Sequence, residues 1–108
     1  MAAETRTFVY IAKLLPGKEA LYRELHDRIP AQIELHLLED GIVSLQIHRV
    51  GQELCMVIHR NPGKSVVDRN YDEELERWWQ NETGQCFAAA WQPAELVYAL
   101  SDQGRIET

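Results

Sequence analysis

The sequence predicts an α+β fold, in which helices cover one face of an antiparallel sheet. Three observations predict it. Apolar residues alternate with a period of two in several segments, which indicates strands, and recur at every fourth residue in others, which indicates helices. Glycine and proline separate most of these segments and mark the turns between them. The resulting order is β-α-β-β-α-β, with the first helical stretch in two parts, and it matches the ferredoxin-like split βαβ arrangement.

The first half of the chain supplies one strand and two helices. A strand is predicted over Thr5 to Leu14, where both faces are largely apolar. A Pro-Gly turn follows, and then a helix from about Lys18 to Ile29. Pro30 cannot continue that helix without a kink, but it suits the first turn of a second helix, which ends near Gly41.

The second half begins with a hairpin and ends with a helix and a strand. The strands over Ile42–Val50 and Glu53–Arg60 are joined by a tight turn at Gly51-Gln52, so they are expected to pair antiparallel. A helix is predicted from about Asp72 to Thr83. The last strand is predicted over Glu95 to Leu100, where apolar residues alternate.

Length and composition indicate one globular domain. Of the 108 residues, 45% are apolar and 26% are charged. A single α+β barrel domain is expected over residues 1–108, with its core at about 5–100 and a solvated polar tail over 101–108. The net charge of -6 argues against nucleic acid as a partner, because phosphate binding needs a basic face. No apolar run is long enough to cross a bilayer and residues 1–6 show no signal-peptide pattern, so a cytoplasmic location without membrane contact is expected.

The spacing of cysteine and histidine gives no sign of a metal site. Cys55 and Cys86 belong to no CxxC or Cys/His ligand pattern, and we expect them to be reduced thiols. The four histidines form no HExxH or comparable zinc signature, and His36 is expected to face solvent. A bound metal is therefore not expected.

Two aromatic pairs form the candidate site. Tyr22 and His26 are four residues apart, so they share one face of the first helix, on the flank of the leucine stripe that is expected to face the core. Trp78 and Trp79 follow one another on the last helix. Aromatic faces beside a group that titrates near neutrality suit a small hydroxylated ligand that needs a proton moved, such as a sugar. The alternative is structural, with these side chains half-buried at the edges of apolar stripes and Trp79 explained by packing.

The predicted sheet leaves one apolar face uncovered. The strand over Thr5 to Leu14 is apolar on both faces, whereas the helices cover one side of the sheet only. A symmetric pair of chains that folds two such sheets together would cover the other side. We therefore expect a homodimer.

Four features of the sequence resemble the L-rhamnose mutarotase family, in matching order and at nearly matching length. They span about Arg6 to Leu100 and are Tyr22-x-x-x-His26 on the first helix, Pro30 opening the second, Gly41 before a strand, and Arg77-Trp78-Trp79 on the last helix. The resemblance implies a dimeric α+β barrel. It also implies a cofactor-free aldose mutarotase that interconverts the α and β anomers of a 6-deoxy-L-hexose.

The resemblance implies roles for individual residues as well. The family's active-site histidine falls on His26, a substrate-binding tyrosine falls on Tyr22, and the tryptophan pair falls on Trp78 and Trp79. Mutarotation needs a base for the anomeric hydroxyl proton and an acid for the ring oxygen. One histidine, helped by a tyrosine or a water molecule, is expected to serve both roles.

The sequence departs from the family at two places. Leu45 stands where the family has a second tyrosine, and His48, three residues on, is a candidate for a polar contact with the substrate. The segment after Trp79 is shorter than usual and lacks the family's Asn/Pro-rich loop. Both changes concern substrate recognition, so L-fucose is as good a candidate as L-rhamnose.

Two other functions stay open from the sequence. Small dimeric ferredoxin-like barrels also host cofactor-independent oxygenases, so that chemistry is one alternative. A non-catalytic sugar-binding module is the other, and it is favoured by Leu45 and the shortened segment after Trp79.

Overall fold

The computed structural model describes residues 5–105 and confirms an α+β fold. The four long strands form one antiparallel sheet in the order β2-β3-β1-β4, which is the ferredoxin-like arrangement. None of the described helices is long and apolar enough to cross a membrane. The elements are β1 (Arg6–Leu14), α1 (Glu19–Asp27), α2 (Ala31–Glu39), β2 (Ile42–Val50), β3 (Glu53–Arg60), α3 (Glu73–Gly84), β4 (Phe87–Pro93), β5 (Leu100–Ser101) and β6 (Gly104–Arg105).

The last strand of the sheet lies earlier than the sequence predicts. β4 spans Phe87–Pro93 and pairs with β1, whereas only Leu100 of the predicted strand over Glu95 to Leu100 lies in a strand, the short β5. That prediction is wrong, for a reason of composition. β4 contains three successive alanines, which favour strands weakly, and a proline that its edge position tolerates.

The expected polar tail over residues 101–108 begins in a small hairpin. Its two strands, β5 and β6, pair with each other and not with the main sheet. Residues 106–108, and residues 1–4 at the other end, lie outside the described part of the chain.

The core lies between the sheet and the helices. Its buried members are Ala12 and Leu14 of β1, Leu54 of β3, Tyr22 of α1, and Cys86 before β4. Burial of this apolar surface is the main term that stabilises the fold. The core therefore reaches directly to α1, the helix that carries the candidate histidine.

α1 presents a different face to the core than the sequence predicts. Tyr22 is the buried residue of this helix, while Leu21 and Leu25 are partly buried and line a small cavity with Trp78 and Trp79 of α3. α1 packs against both the sheet and α3, so its apolar side chains divide between them. The predicted position of Tyr22, on the flank of the leucine stripe, is therefore wrong, because Tyr22 lies in the core.

α2 meets the start of α3 around His36, which the sequence places in solvent. His36 is 3% exposed, and its ring stacks on Tyr71 with ring centroids 4.4 Å apart. The expected exposure is wrong, because a single sequence does not show which polar side of one helix meets another helix.

A close backbone contact fixes the turn between α2 and β2. Gly41 has a φ of 94°, a conformation that favours glycine. Its carbonyl oxygen accepts a hydrogen bond of 2.8 Å from the Asn61 backbone N–H. A Cβ on Gly41 would lie 2.6 Å from the Asn61 carbonyl oxygen. The turn therefore requires glycine, and it determines where β2 begins.

We expect Gly41→Ala to lower the free energy of unfolding by about 1–3 kcal/mol, because it combines backbone strain with a clash. Gly84→Ala is the matched control, since a Cβ at the end of α3 meets no atom within 4 Å and alanine favours a helix. Urea denaturation of both variants measures the difference. Equal stabilities would contradict the requirement for glycine at Gly41.

The face of the sheet away from the helices carries apolar side chains. Ala12 pairs with Leu54 on the buried face, so the neighbouring pair of Ile11 and Cys55 points to the other face, together with Val9. Ile11 is 41% exposed there. The described chain thus leaves apolar surface open on this face, as the sequence predicts.

Candidate active site

α1 places Tyr22 and His26 one helical turn apart. The Nδ1 atom of His26 lies 2.9 Å from the Tyr22 carbonyl oxygen, and the two ring centroids are 4.4 Å apart. A carbonyl oxygen only accepts a hydrogen bond, so the neutral His26 ring donates from Nδ1 and carries no proton on Nε2. Nε2 is therefore the atom of His26 that can accept a proton.

Tyr22 is suited to donate a hydrogen bond and not to act as a base. Burial raises the pKa of its hydroxyl far above the ordinary tyrosine value, and the nearby Cys86 thiol adds to the shift. Its ring packs against Phe87, with centroids 5.6 Å apart. The Tyr22 hydroxyl therefore stays protonated near neutral pH.

α3 brings Trp79 against the His26 ring. The helix is capped by Asp72, whose side chain accepts a hydrogen bond of 3.0 Å from the Leu75 backbone N–H. Trp79 is 7% exposed, and its ring meets His26 edge-on, with centroids 5.2 Å apart and an interplanar angle of 72°. The imidazole thus contacts both Tyr22 and Trp79.

A cavity of about 570 Å³ opens beside His26, between α1 and β2, and its size suits a small-molecule site. Three aliphatic side chains of the sheet form its apolar wall. Two acids and two arginines stand around it and leave it without net charge, which suits a neutral ligand. The residues that line it are Glu19, Tyr22, Arg23, His26 and Asp27 of α1, and Leu45, Ile47, His48, Arg49 and Leu54 of the sheet.

A second cavity, of about 400 Å³, lies between α2 and β2. His26 and Leu45 line both cavities. His26 therefore stands near the middle of a cleft that follows β2.

Neither cysteine lines this cleft. Cys55 and Cys86 are free thiols, and burial raises the pKa of Cys86, so that thiol stays protonated. Within residues 5–105, no cluster of three or more His, Cys, Asp or Glu side chains is arranged to hold a metal ion. His26 is thus the imidazole that lines the cleft beside Tyr22.

The model of the L-rhamnose mutarotase family matches residues 7–100 of the chain. The chain belongs to the L-rhamnose mutarotase family. The resemblance drawn from the sequence is confirmed. The members of this family are isomerases. The chain is therefore an isomerase, and its general activity is sugar mutarotation.

Solved structures agree with the fold. The crystal structure of an L-rhamnose mutarotase from Formosa agariphila has a TM-score of 0.68 and 18% sequence identity, over 89% of this chain and 99% of that chain. A proposed antibiotic biosynthesis monooxygenase from Bordetella bronchiseptica has a TM-score of 0.59 and 19% identity, over 83% of this chain and 92% of that chain. At these identities the likeness shows the fold alone. No curated protein sequence matches the chain at a significant level.

The structure brings Tyr22, His26 and Trp79 together, but not Trp78. Both tryptophans line a separate cavity of about 280 Å³ on the α3 side of α1, but Trp78 is 45% exposed, whereas Trp79 is buried and reaches His26. Trp78 contacts the site through its neighbour, since the Trp78 and Trp79 ring centroids are 6.3 Å apart. The two tryptophans, which the resemblance treats as a pair, therefore have different surroundings.

β2 presents Arg49 to the cavity more directly than His48. His48 borders the cavity at the edge of the sheet, but its Nε2 atom lies 3.0 Å from the side-chain oxygen of Gln46, two residues before it on the strand. Strand alternation puts Arg49 on the same face as Leu45 and Ile47, and it lines the cavity with them. Arg49 was not among the residues predicted for the site, although the same alternation indicates its position.

Proposed function

We propose that the protein is an aldose mutarotase that interconverts the α and β anomers of a 6-deoxy-L-hexose, L-rhamnose or L-fucose. The observation that carries this proposal is the Nε2 atom of His26, which is free to accept a proton beside a cavity of sufficient size. The contacts of the His26 ring with Tyr22 and Trp79 limit its orientations. Membership of the family supports the same reaction.

His26 acts in this proposal first as a base and then as an acid. Its Nε2 atom takes the proton of the anomeric hydroxyl, and the C1–O5 bond breaks as that oxygen becomes the carbonyl oxygen of an open-chain aldehyde. The imidazolium then delivers the proton to O5. After rotation about the C1–C2 bond, O5 adds to the other face of the carbonyl, with the same proton transfers in reverse.

Tyr22 assists the reaction with a hydrogen bond. Because burial keeps its hydroxyl protonated, it can donate to a sugar oxygen on which negative charge develops during ring opening. Trp78 supports the site through Trp79, and His48 is an outer contact at the edge of β2.

The apolar wall of the cavity favours a deoxy sugar. Leu45, Ile47 and Leu54 present aliphatic surface that suits the C6 methyl group and the C–H face of the ring. Leu45 lies where the family has a tyrosine, so an apolar contact replaces a polar one next to His26. The choice between L-rhamnose and L-fucose is expected to depend on this wall.

Magnetisation-exchange NMR on L-rhamnose, L-fucose and D-glucose tests the proposal. Faster α/β exchange for a 6-deoxy-L-sugar than for D-glucose would support it and identify the preferred substrate. If no sugar exchanges faster than in buffer, the proposed activity is wrong. Quenching of tryptophan fluorescence by the same sugars would then indicate a binding module.

We also propose that the protein is a homodimer that forms through the open face of the sheet. Ile11 and Val9 leave apolar surface on that face, and Leu96 and Val97, which follow β4, are exposed as well. A second copy that turns the same face inwards would cover this surface in an isologous interface.

We expect Ile11→Asp to convert the dimer into a monomer, because it places a charge in the proposed interface. The matched control is Leu35→Asp on α2, where the replaced leucine is 43% exposed and Ile11 is 41% exposed. Light scattering at micromolar concentration measures the mass of each protein. A monomeric wild-type protein would contradict the proposal.

A further inference from the structure

His36 of α2 makes a buried polar contact with the start of α3. Its Nε2 atom accepts a hydrogen bond of 3.1 Å from the backbone N–H of Asp72. Asp72 is the N-cap of α3, and its own side chain accepts from the Leu75 backbone N–H. One imidazole of α2 therefore holds the residue at which α3 begins.

The residues that lead into α3 close around the same ring. Tyr71 stacks on His36, with an interplanar angle of 26°. The Arg69 guanidinium lies 5.3 Å from the centroid of the Tyr71 ring, and one of its N–H groups donates to the His36 carbonyl oxygen at 3.4 Å. The segment from Arg69 to Asp72 is thus anchored on His36 by a stacked ring and by two hydrogen bonds.

These contacts determine where the His36 ring carries its proton. A backbone N–H only donates, so Nε2 must be without a proton and the neutral ring is protonated at Nδ1. Nδ1 is buried with no hydrogen-bond partner among the described residues, and the Glu76 Oε1 atom is 3.8 Å from it. The hydrogen bond from Asp72 is therefore available only to the tautomer with a free Nε2.

α3 connects this contact to the candidate site. Trp79 lies seven residues after Asp72, which is two helical turns and about 10 Å along the axis. It is buried and meets the His26 ring edge-on. Because a helix transmits rotation along its length, the residue that fixes the start of α3 also fixes the direction of Trp79.

We propose that His36 is a positioning residue for the site: its free Nε2 fixes the rotation of α3 and so holds Trp79 against His26. His36 does not touch the substrate. The effect of His36 on the rate of anomer exchange rests on the proposed mutarotase function. Its effect on the NMR signals of the protein does not.

The first measurement identifies which nitrogen of the His36 ring carries the proton. Long-range ¹H–¹⁵N correlation spectra of the histidine rings in the wild-type protein are expected to show His36 as the neutral ring protonated at Nδ1. A ring protonated at Nε2 would overturn the proposal. This readout needs no substrate, so it distinguishes failure of the proposal from failure of the proposed function.

Two variants of His36 then separate positioning from packing. In His36→Gln the side-chain carbonyl can still accept from the Asp72 N–H, whereas His36→Leu fills the space without an acceptor. We expect His36→Leu to shift the NMR signals of the His26 ring and the Trp79 indole, and to lower kcat for the preferred sugar roughly tenfold with little change in KM. His36→Gln is expected to restore both the wild-type signals and most of kcat.

The control is Leu35→Gln, a change at an exposed residue of the same helix. It is expected to leave the signals and kcat unchanged. Wild-type signals for His26 and Trp79 in His36→Leu would overturn the proposal, and so would equal losses in the Gln and Leu variants. If the Leu variant does not fold, the Gln variant decides, because perturbed His26 and Trp79 signals there would contradict the role of the acceptor.

Discussion

Replacing His26 with alanine is expected to lower the catalysed rate of anomer exchange by about 100-fold or more, because it removes the proposed base. The fold should survive, since His26 is only half-buried and its Nδ1 bond is to the backbone of its own helix. Magnetisation-exchange NMR on the preferred sugar measures the rate, and circular dichroism checks that the variant is folded.

The matched control is His59→Ala, because both changes remove one imidazole. His59 lies on β3, where its Nδ1 atom is 2.9 Å from the Thr7 hydroxyl on the open face of the sheet, away from α1, so light scattering checks that this variant keeps the wild-type mass. Free imidazole is expected to restore part of the lost rate in His26→Ala, since it can occupy the space that the side chain leaves. Wild-type exchange in His26→Ala would exclude His26 as the proton-transfer group.

Periodicity and turn residues together predict most of the fold. The hairpin of β2 and β3 has the predicted bounds, Ile42–Val50 and Glu53–Arg60, and the three helices lie within two residues of their predicted bounds. Apolar residues recur regularly in these segments. In the hairpin, the two strands that pair are also neighbours in the sequence. β4 is different, because an alanine-rich edge strand depends on its pairing with β1 more than on its own composition.

The candidate site also has one part that the sequence predicts and one part that it does not. The pairing of Tyr22 with His26 is local, since both lie one turn apart on α1, and the sequence predicts it from spacing alone. The contact of Trp79 with His26, and the burial of His36, depend on how α3 docks on the other helices. Such docking is set by contacts between distant parts of the chain, which one sequence does not reveal.

The neighbouring tryptophans of α3 are expected to respond very differently to truncation. Trp79→Ala should lower the free energy of unfolding by about 3–5 kcal/mol, because it leaves a cavity between α1, α3 and the sheet. Trp78→Ala should cost about 1 kcal/mol, since nearly half of that side chain is already in solvent. Urea denaturation measures both, and equal losses would contradict the unequal burial of the two rings.

A loss of this size is a large part of the stability of a small domain, so alanine cannot separate packing from catalysis at Trp79. Trp79→Phe can, because a phenyl ring keeps an aromatic contact with His26 at a smaller volume. We expect this variant to stay folded and to exchange anomers several-fold more slowly, since a looser contact lets the His26 ring leave the orientation that faces the sugar. A folded Trp79→Phe protein with the wild-type rate would mean that Trp79 stabilises the fold without orienting His26.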